Sequence, residues 1–291
     1  MAVGTILDRR GFLGLALGAA AGSLLADDGA GVDSERPLYF GLTPVFLDHR
    51  VALLRRWRGF LENRLVRPVR FIQRGSYAEI VELLRQGDLD VAWLCGYPFV
   101  QEEAWLDLLV APVYAGQPLY RSYLIVPQSD RETSTITDLQ GGFFAYSDPD
   151  SLSGYHLPRH AIFATGADPD AYFARTVMSW THRNAVEAVA DQLVDGAAVD
   201  GYVWDMLQRH EPGVTDRTRI VSRSRFHGFP PIVARDGLPA EDARHCREVL
   251  GAMDAHDEGR EILAALGLDG FAPVDPALYD SVRRIADEMA S

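Results

Sequence analysis

The chain has 291 residues, 47% of them hydrophobic, and carries 28 basic against 41 acidic side chains for a net charge of -13. That length and apolar content call for a core large enough for one large or two ordinary domains. The acidic balance excludes a surface built for nucleic acid or anionic lipid. The absence of any lysine excludes Schiff-base chemistry and a lysine-bearing phosphate loop.

The first feature in chain order is "DRRGFLGLALGAAAGSLLA", with Arg9 and Arg10 ahead of Phe12 and Leu13. The apolar run that follows spans roughly 13 to 15 residues, short of the about 20 needed to cross a bilayer. It resembles a twin-arginine export signal, with Asp8 where that pattern usually has Ser or Thr and Gly14 where it often has Lys. Residues 1–35 are therefore expected to be a signal and linker directing the chain to the periplasm. An uncleaved N-terminal anchor is the other reading. No cysteine follows the run, so a lipid anchor is not indicated.

From "PLYFGL" onward, strand-like and helix-like runs alternate: Leu47 to Leu65 amphipathic, "VRFIQR", then "SYAEIVELLRQGD", then "LDVAWLCG". Such alternation predicts βαβ units and mainly parallel sheets flanked by helices. Ser76 with Glu79 forms a capping box that starts one helix, and Gly87 ends it. "SYAEIVELLRQGDLDVAWLCGYPFV" also finds an echo in "THRNAVEAVADQLVDGAAVDGYVWD" at a constant offset of 105 residues, with Gly96-Tyr97 against Gly201-Tyr202. The offset is too long for a solenoid repeat and predicts two similar α/β lobes. Lobe 1 is expected over 36–127 and 232–291, and lobe 2 over 128–231. Ligands bind beyond the carboxyl ends of parallel strands, so Cys95 and Asp200 should face a shared cleft.

Between the echoes lies "YSDPDSLSGYHLPRH", an Asp-Pro turn, two serines and a glycine ahead of a short helix. That is the composition of a helix start with open N–H groups, suited to an anion; a plain capped turn is the alternative. His156 and His160 have i, i+4 spacing, but no acidic or cysteine partner nearby argues for a metal. Cys95 and Cys246 are expected to be two buried free thiols rather than a disulfide.

Together "LRQGDLDVAWLCGYPFV", "SDPDSLSGYHLPRH", the second echo and "EGREILAALGLDGFAPVDPALYDSVRRI" resemble the phosphate/phosphite/phosphonate-binding proteins of ABC importers, the PhnD-like group. The resemblance implies a two-lobed periplasmic-binding-protein fold of type II with a hinged cleft. It implies no catalysis, no cofactor, a small oxyanion as ligand and an ABC permease as partner; the protein is expected to be a monomer. It also implies that Ser151, Ser153 and Gly154 bind the oxyanion, with His182, Asp200, Tyr77 and Tyr97 lining the cleft, and Thr43 a weaker candidate. Leu152 stands where relatives often carry Thr. A charged His182 imidazole would complement the anion, and Asp200 would select a protonated oxyanion or an amine-bearing ligand. Tyr202 would form a cleft wall with Tyr97. Cys95 leaves open a thiophilic ligand such as arsenite, in a sensor accessory for a membrane histidine kinase. An enzyme on this fold is disfavoured because no nucleophile–base pair is legible.

Overall fold

The computed structural model describes residues 36–43 and 51–290. The export segment therefore lies outside the described residues, as does the start of the Leu47 to Leu65 stretch. The strands are β1 (Leu38–Leu42), β2 (Val69–Gln73), β3 (Val91–Trp93), β4 (Leu106–Val113), β5 (Leu119–Tyr120), β6 (Ser122–Pro127), β7 (Phe143–Tyr146), β8 (Arg175–Met178), β9 (Gly196–Asp200), β10 (Thr218–Arg223), β11 (His227–Gly228), β12 (Ile232–Arg235) and β13 (Gly270–Ala272). The helices are α1 (Val51–Leu65), α2 (Tyr77–Gln86), α3 (Gly96–Glu102), α4 (Leu157–Phe163), α5 (His182–Ala190), α6 (Gly201–His210), α7 (Pro212–Thr215), α8 (Ala240–Gly251), α9 (Asp257–Leu266) and α10 (Asp280–Ala290).

Two sheets carry the fold, in the orders β13-β4-β12-β3-β1-β2 and β10-β6-β9-β7-β8. Each is mixed rather than mainly parallel. β2, β1 and β3 run parallel, as do β8, β7 and β9, because helical crossovers join them. The pairings of β3, β12, β4 and β13 in the first sheet and of β9, β6 and β10 in the second are antiparallel. Ser122–Pro127 already pairs in the second sheet, so the chain passes between sheets ahead of the expected boundary at residue 128. The outgoing segment β5 and the returning segment β11 pair antiparallel with each other, Tyr120 opposite His227.

The echo is visible in three dimensions: α2-β3-α3 in the first sheet corresponds to α5-β9-α6 in the second. Ser76 caps α2 in a reciprocal box with Glu79, and Gly87 ends it with φ 79°. Thr181 caps α5 through the Asn184 N–H. The first sheet is anchored by Trp57, fully buried against Phe40, Phe71, Trp93 and Phe271. Full burial of one such side chain contributes about 1.5–3 kcal/mol. Asp90, also fully buried, is bound by Arg36 at 2.8 Å, Arg235 at 3.0 Å and the Tyr39 N–H at 3.0 Å. Cys95 and Cys246 are buried free thiols.

Candidate functional site

The site lies where β3, β7 and β9 end. Beyond β7 the chain turns through Ser147 and Asp148. It then enters a wide helical turn, Leu152–His156, in which the Ser151 carbonyl accepts from both Tyr155 and His156, each at 3.1 Å. Such i→i+5 turns recur at functional sites. Ser151 Oγ caps the turn by accepting from the Gly154 N–H at 3.0 Å. Gly154 is required by space: a Cβ there would stand 2.0 Å from Ser147 Oγ and 2.7 Å from Ser147 Cβ.

His182, the first residue of α5, is buried behind this turn. Its Nδ1 accepts the Asp200 N–H at 3.1 Å, and a backbone N–H can only donate. Nδ1 is therefore unprotonated, and Nε2–H points toward Ser151 Oγ and Tyr77 OH, each 3.5 Å away. Burial holds the imidazole pKa down to about 3. The expected charged imidazole is thus corrected to a neutral one that offers a single N–H donor.

Asp200 caps α6, its Oδ1 accepting from Tyr202 N–H at 2.8 Å and Val203 N–H at 3.3 Å. Burial without a cationic partner pushes its pKa up to about 7, against the lowering effect of those two amides. Asp200 lines a small cavity with Thr43, Tyr77, Trp93, Cys95, Tyr202, Phe229 and Pro230, with room for about one water molecule. No arginine borders it among the described residues.

The remaining predicted residues divide. Tyr77 and Cys95 reach across to the turn: the Tyr77 N–H donates to Asp148 Oδ2 at 3.1 Å, and the Leu152 N–H donates to Cys95 Sγ at 3.4 Å. Burial raises the Cys95 pKa to about 11, so the thiol stays protonated. Thr43 donates to the Trp93 carbonyl at 3.1 Å. Tyr202 presents its ring to the cavity, while its hydroxyl donates to the Leu266 carbonyl at 2.6 Å. Tyr97 is not brought to the cavity; it stacks on His156, ring centroids 3.5 Å apart, and is half-buried. The Ser151 to Gly154 turn does not hold all its N–H groups open, since Leu152 and Gly154 are already engaged. His160 bonds Glu288 at 2.6 Å instead of joining His156. Among the described residues no cluster of three or more metal-ligating side chains occurs.

Two groups at the site went unread in the sequence, Ser147 and Tyr120. Their hydroxyls, like that of the expected Ser153, are buried with no hydrogen-bond partner among the described residues. Ser147 lies against Gly154, and Ser153 and Tyr120 are close enough to perturb one another. Asp148 is also buried, its carboxyl raised by desolvation and tied to Tyr77 and Asp150 N–H groups. The signal available was the Ser-Asp-Pro at a strand end, which identified a turn but not its partners.

A turn of small polar residues beside two buried carboxyls, Asp148 and Asp200, suits a small polar ligand, and known proteins point the same way. Residues 40–279 match the family described as "ABC transporter, phosphonate, periplasmic substrate-binding protein". The chain is 28% identical to the phosphonates-binding periplasmic protein of Escherichia coli, over 87% of this chain and 77% of that one. It superposes with TM-score 0.80 on a binding-protein component of an ABC phosphonate transporter from Pseudomonas aeruginosa, at 22% identity, covering 88% and 87% of the two chains. It superposes with TM-score 0.78 on PhnD1 from Prochlorococcus marinus in complex with methylphosphonate, at 18% identity, covering 87% and 98%. The fold is that of the type II periplasmic binding proteins. The chain therefore belongs to the periplasmic substrate-binding proteins of phosphonate ABC transporters, exported components that bind a small ligand and work with a membrane permease.

Proposed function

We propose that the protein captures a small tetrahedral oxyanion of the phosphonate, phosphite or phosphate class between two lobes, each built on one of the two sheets. The lobes correspond to 36–127 with 232–291 and to 128–231, with β6 transferred to the second by its pairing. β5 and β11 form the hinge, and the chain acts as a monomer without catalysis. The twin-arginine reading of the N-terminus remains part of the proposal.

The observation that carries it is the set of buried, unpartnered hydroxyls of Ser147, Ser153 and Tyr120 beside the Nε2–H of a neutral His182. Leaving polar groups buried and unpaired costs about 1–3 kcal/mol each, which a ligand oxygen would relieve. In this reading Ser151, Ser153 and Gly154 hold the oxyanion after the caps rearrange, and His182 and Tyr77 donate to it. Thr43, Cys95 and Tyr202 bound the far wall, with Tyr97 closing the rim on His156. The small cavity favours a compact substituent on phosphorus, and Asp200 accepts the proton that a singly ionised ligand carries. A protonated Cys95 that already accepts an amide hydrogen bond is poorly suited to arsenite, which needs a thiolate.

The test is a thermal-shift and calorimetric screen of the exported chain against methylphosphonate, phosphite, phosphate, 2-aminoethylphosphonate, sulfate and arsenite. A binder at 100 times its Kd stabilises the fold by about 2.7 kcal/mol. The expected result is a shift with methylphosphonate or phosphite that is lost in Ser153→Ala. Silence across all phosphorus compounds would reject the ligand class.

A further inference from the structure

A second cavity, of about 260 Å³, lies on the hinge and apart from the oxyanion turn. Its walls come from the outgoing segment (Leu119 to Arg121), the returning segment (Arg223, Phe226), the end of β4 (Tyr114) and α6. Its lining is largely aromatic and carries one carboxylate, Asp205. Asp205 Oδ2 accepts from Tyr114 OH at 2.8 Å and Tyr123 OH at 3.0 Å. Oδ1 makes no hydrogen bond among the described residues and is not sealed from solvent, and Asp205 forms no ion pair within 4.0 Å among them. Burial raises its carboxyl, the two phenols and the Arg223 charge lowering it in part.

Arg121 stacks over the Phe226 ring at 3.6 Å and Arg223 over the Tyr123 ring at 5.0 Å, with Arg223 and Phe226 both exposed. Neither arginine forms an ion pair among the described residues. The cavity thus holds a carboxylate among tyrosine rings together with two guanidiniums that form no ion pair with it. Ring faces and a carboxylate attract an ammonium group, and guanidinium forks attract a carboxylate or phosphonate. A lone organic cation would be repelled by the guanidiniums, and a lone anion by Asp205.

We propose that this hinge cavity is a second ligand site for a small zwitterion, its ammonium group on Asp205 and its acid group on Arg121 and Arg223, joined by a short aliphatic spacer. The volume suits a molecule of about ten non-hydrogen atoms or fewer. The rings of Tyr120 and Tyr202 border both sites, but the charged groups of the second, Asp205, Arg121 and Arg223, take no part in holding the proposed oxyanion, so the two sites are separable by mutation.

The probe is γ-aminobutyrate, titrated calorimetrically into the full chain, with butylamine and butyrate as the two half-ligands. The expected result is saturable binding of γ-aminobutyrate and at least about tenfold weaker binding of either half-ligand, the loss expected for one charge-assisted contact. Asp205→Asn, which keeps an acceptor for both tyrosines, should weaken γ-aminobutyrate about tenfold and remove the preference over butyrate. Arg223→Gln, an exposed change with little bearing on folding, should remove the preference over butylamine. Binding should persist in Ser153→Ala and in the presence of saturating methylphosphonate. No saturable binding by the folded wild type overturns the proposal, as does equal binding of butylamine. Competition with methylphosphonate also overturns it, by assigning the probe to the oxyanion turn. Methylphosphonate binding is read in the same titrations, so failure of the oxyanion reading is seen separately.

Discussion

The units α2-β3-α3 and α5-β9-α6 are alike in sequence spacing and opposed in chemistry. Their first helical residues, Tyr77 and His182, are 105 positions apart and meet side chain to side chain at 3.5 Å. Their strand-end residues, Cys95 and Asp200, both line the small cavity and both precede a helix. Asp200 caps its helix with two amide hydrogen bonds; Cys95 makes no side-chain cap. Further back the polarity reverses: Asp90 is buried under two guanidiniums, whereas its counterpart Asp195 is exposed and takes the Phe143 N–H. Tyr97 lies half-buried on the rim, and Tyr202 is in the core. One framework therefore serves two purposes. The first unit invests its charge in stability, and the second carries its charge into the site.

That contrast can be broken most severely at Asp90. Asp90→Ala leaves two guanidiniums over an emptied, buried position and should cost about 3–5 kcal/mol in denaturant unfolding. Asp195→Ala should cost within about 1 kcal/mol, since it removes one exposed hydrogen bond. Equal losses would end the claim that the two units divide stability and site between them.

Gly154→Ala comes next. The added methyl meets Ser147 Cβ and, at 3.0 Å, His182 Cε1, neither of which is the tip of a flexible chain. Destabilisation of about 1–3 kcal/mol and loss of methylphosphonate binding by calorimetry are expected.

Asp200→Asn sharpens the comparison through pH. The carboxyl titrates near 7 folded, above its ordinary value of 3.8, so the folded state holds more protons between those limits. Its contribution to stability therefore falls as pH rises from about 4 to 7, and the Asn variant should lack that fall. Ligand affinity should likewise weaken in the wild type above pH 7, where Asp200 and the ligand are both ionised. A stability difference between the two proteins that stays flat from pH 4 to 7 would show that Asp200 is ionised throughout.

The smaller effects lie with the hydroxyls and the thiol. Ser153→Ala should weaken the ligand by about tenfold while leaving the melting temperature unchanged or raising it, because its buried hydroxyl has no partner among the described residues and its removal relieves that cost. Cys95→Ala should alter affinity by about threefold or less, releasing the Leu152 N–H at the expense of one weak acceptor.

Local devices were legible in the sequence. The Ser76 box, the Gly87 stop, the Thr181 cap and the register of the two Gly-Tyr pairs all depend on neighbours a few residues away, and all stand in the structure. What stayed hidden was set by partners far along the chain. Asp148 could not be matched to Tyr77, 71 positions earlier. The charge on His182 was misread because the donor that fixes its tautomer is a strand amide, invisible in composition. The sheets were expected to be mainly parallel because βαβ alternation describes crossovers and not the strands that return. The resemblance assigns Tyr97 to the cleft and the Gly-Tyr echo pairs Tyr202 with it, although the two tyrosines have different surroundings in the two units.

The wide turn at Leu152–His156 has a consequence for how this region can vary over evolutionary time. One carbonyl, that of Ser151, serves two successive amides, so the turn holds one residue more than an ordinary α-helical turn would. Exchanging a side chain within it leaves that surplus intact. Deleting a single residue would restore regular winding and swing everything upstream by about 100° relative to α4. The hydroxyls would then face away from His182. Insertions and deletions should be purged here far more strictly than substitutions, and the length of this segment should outlast its composition.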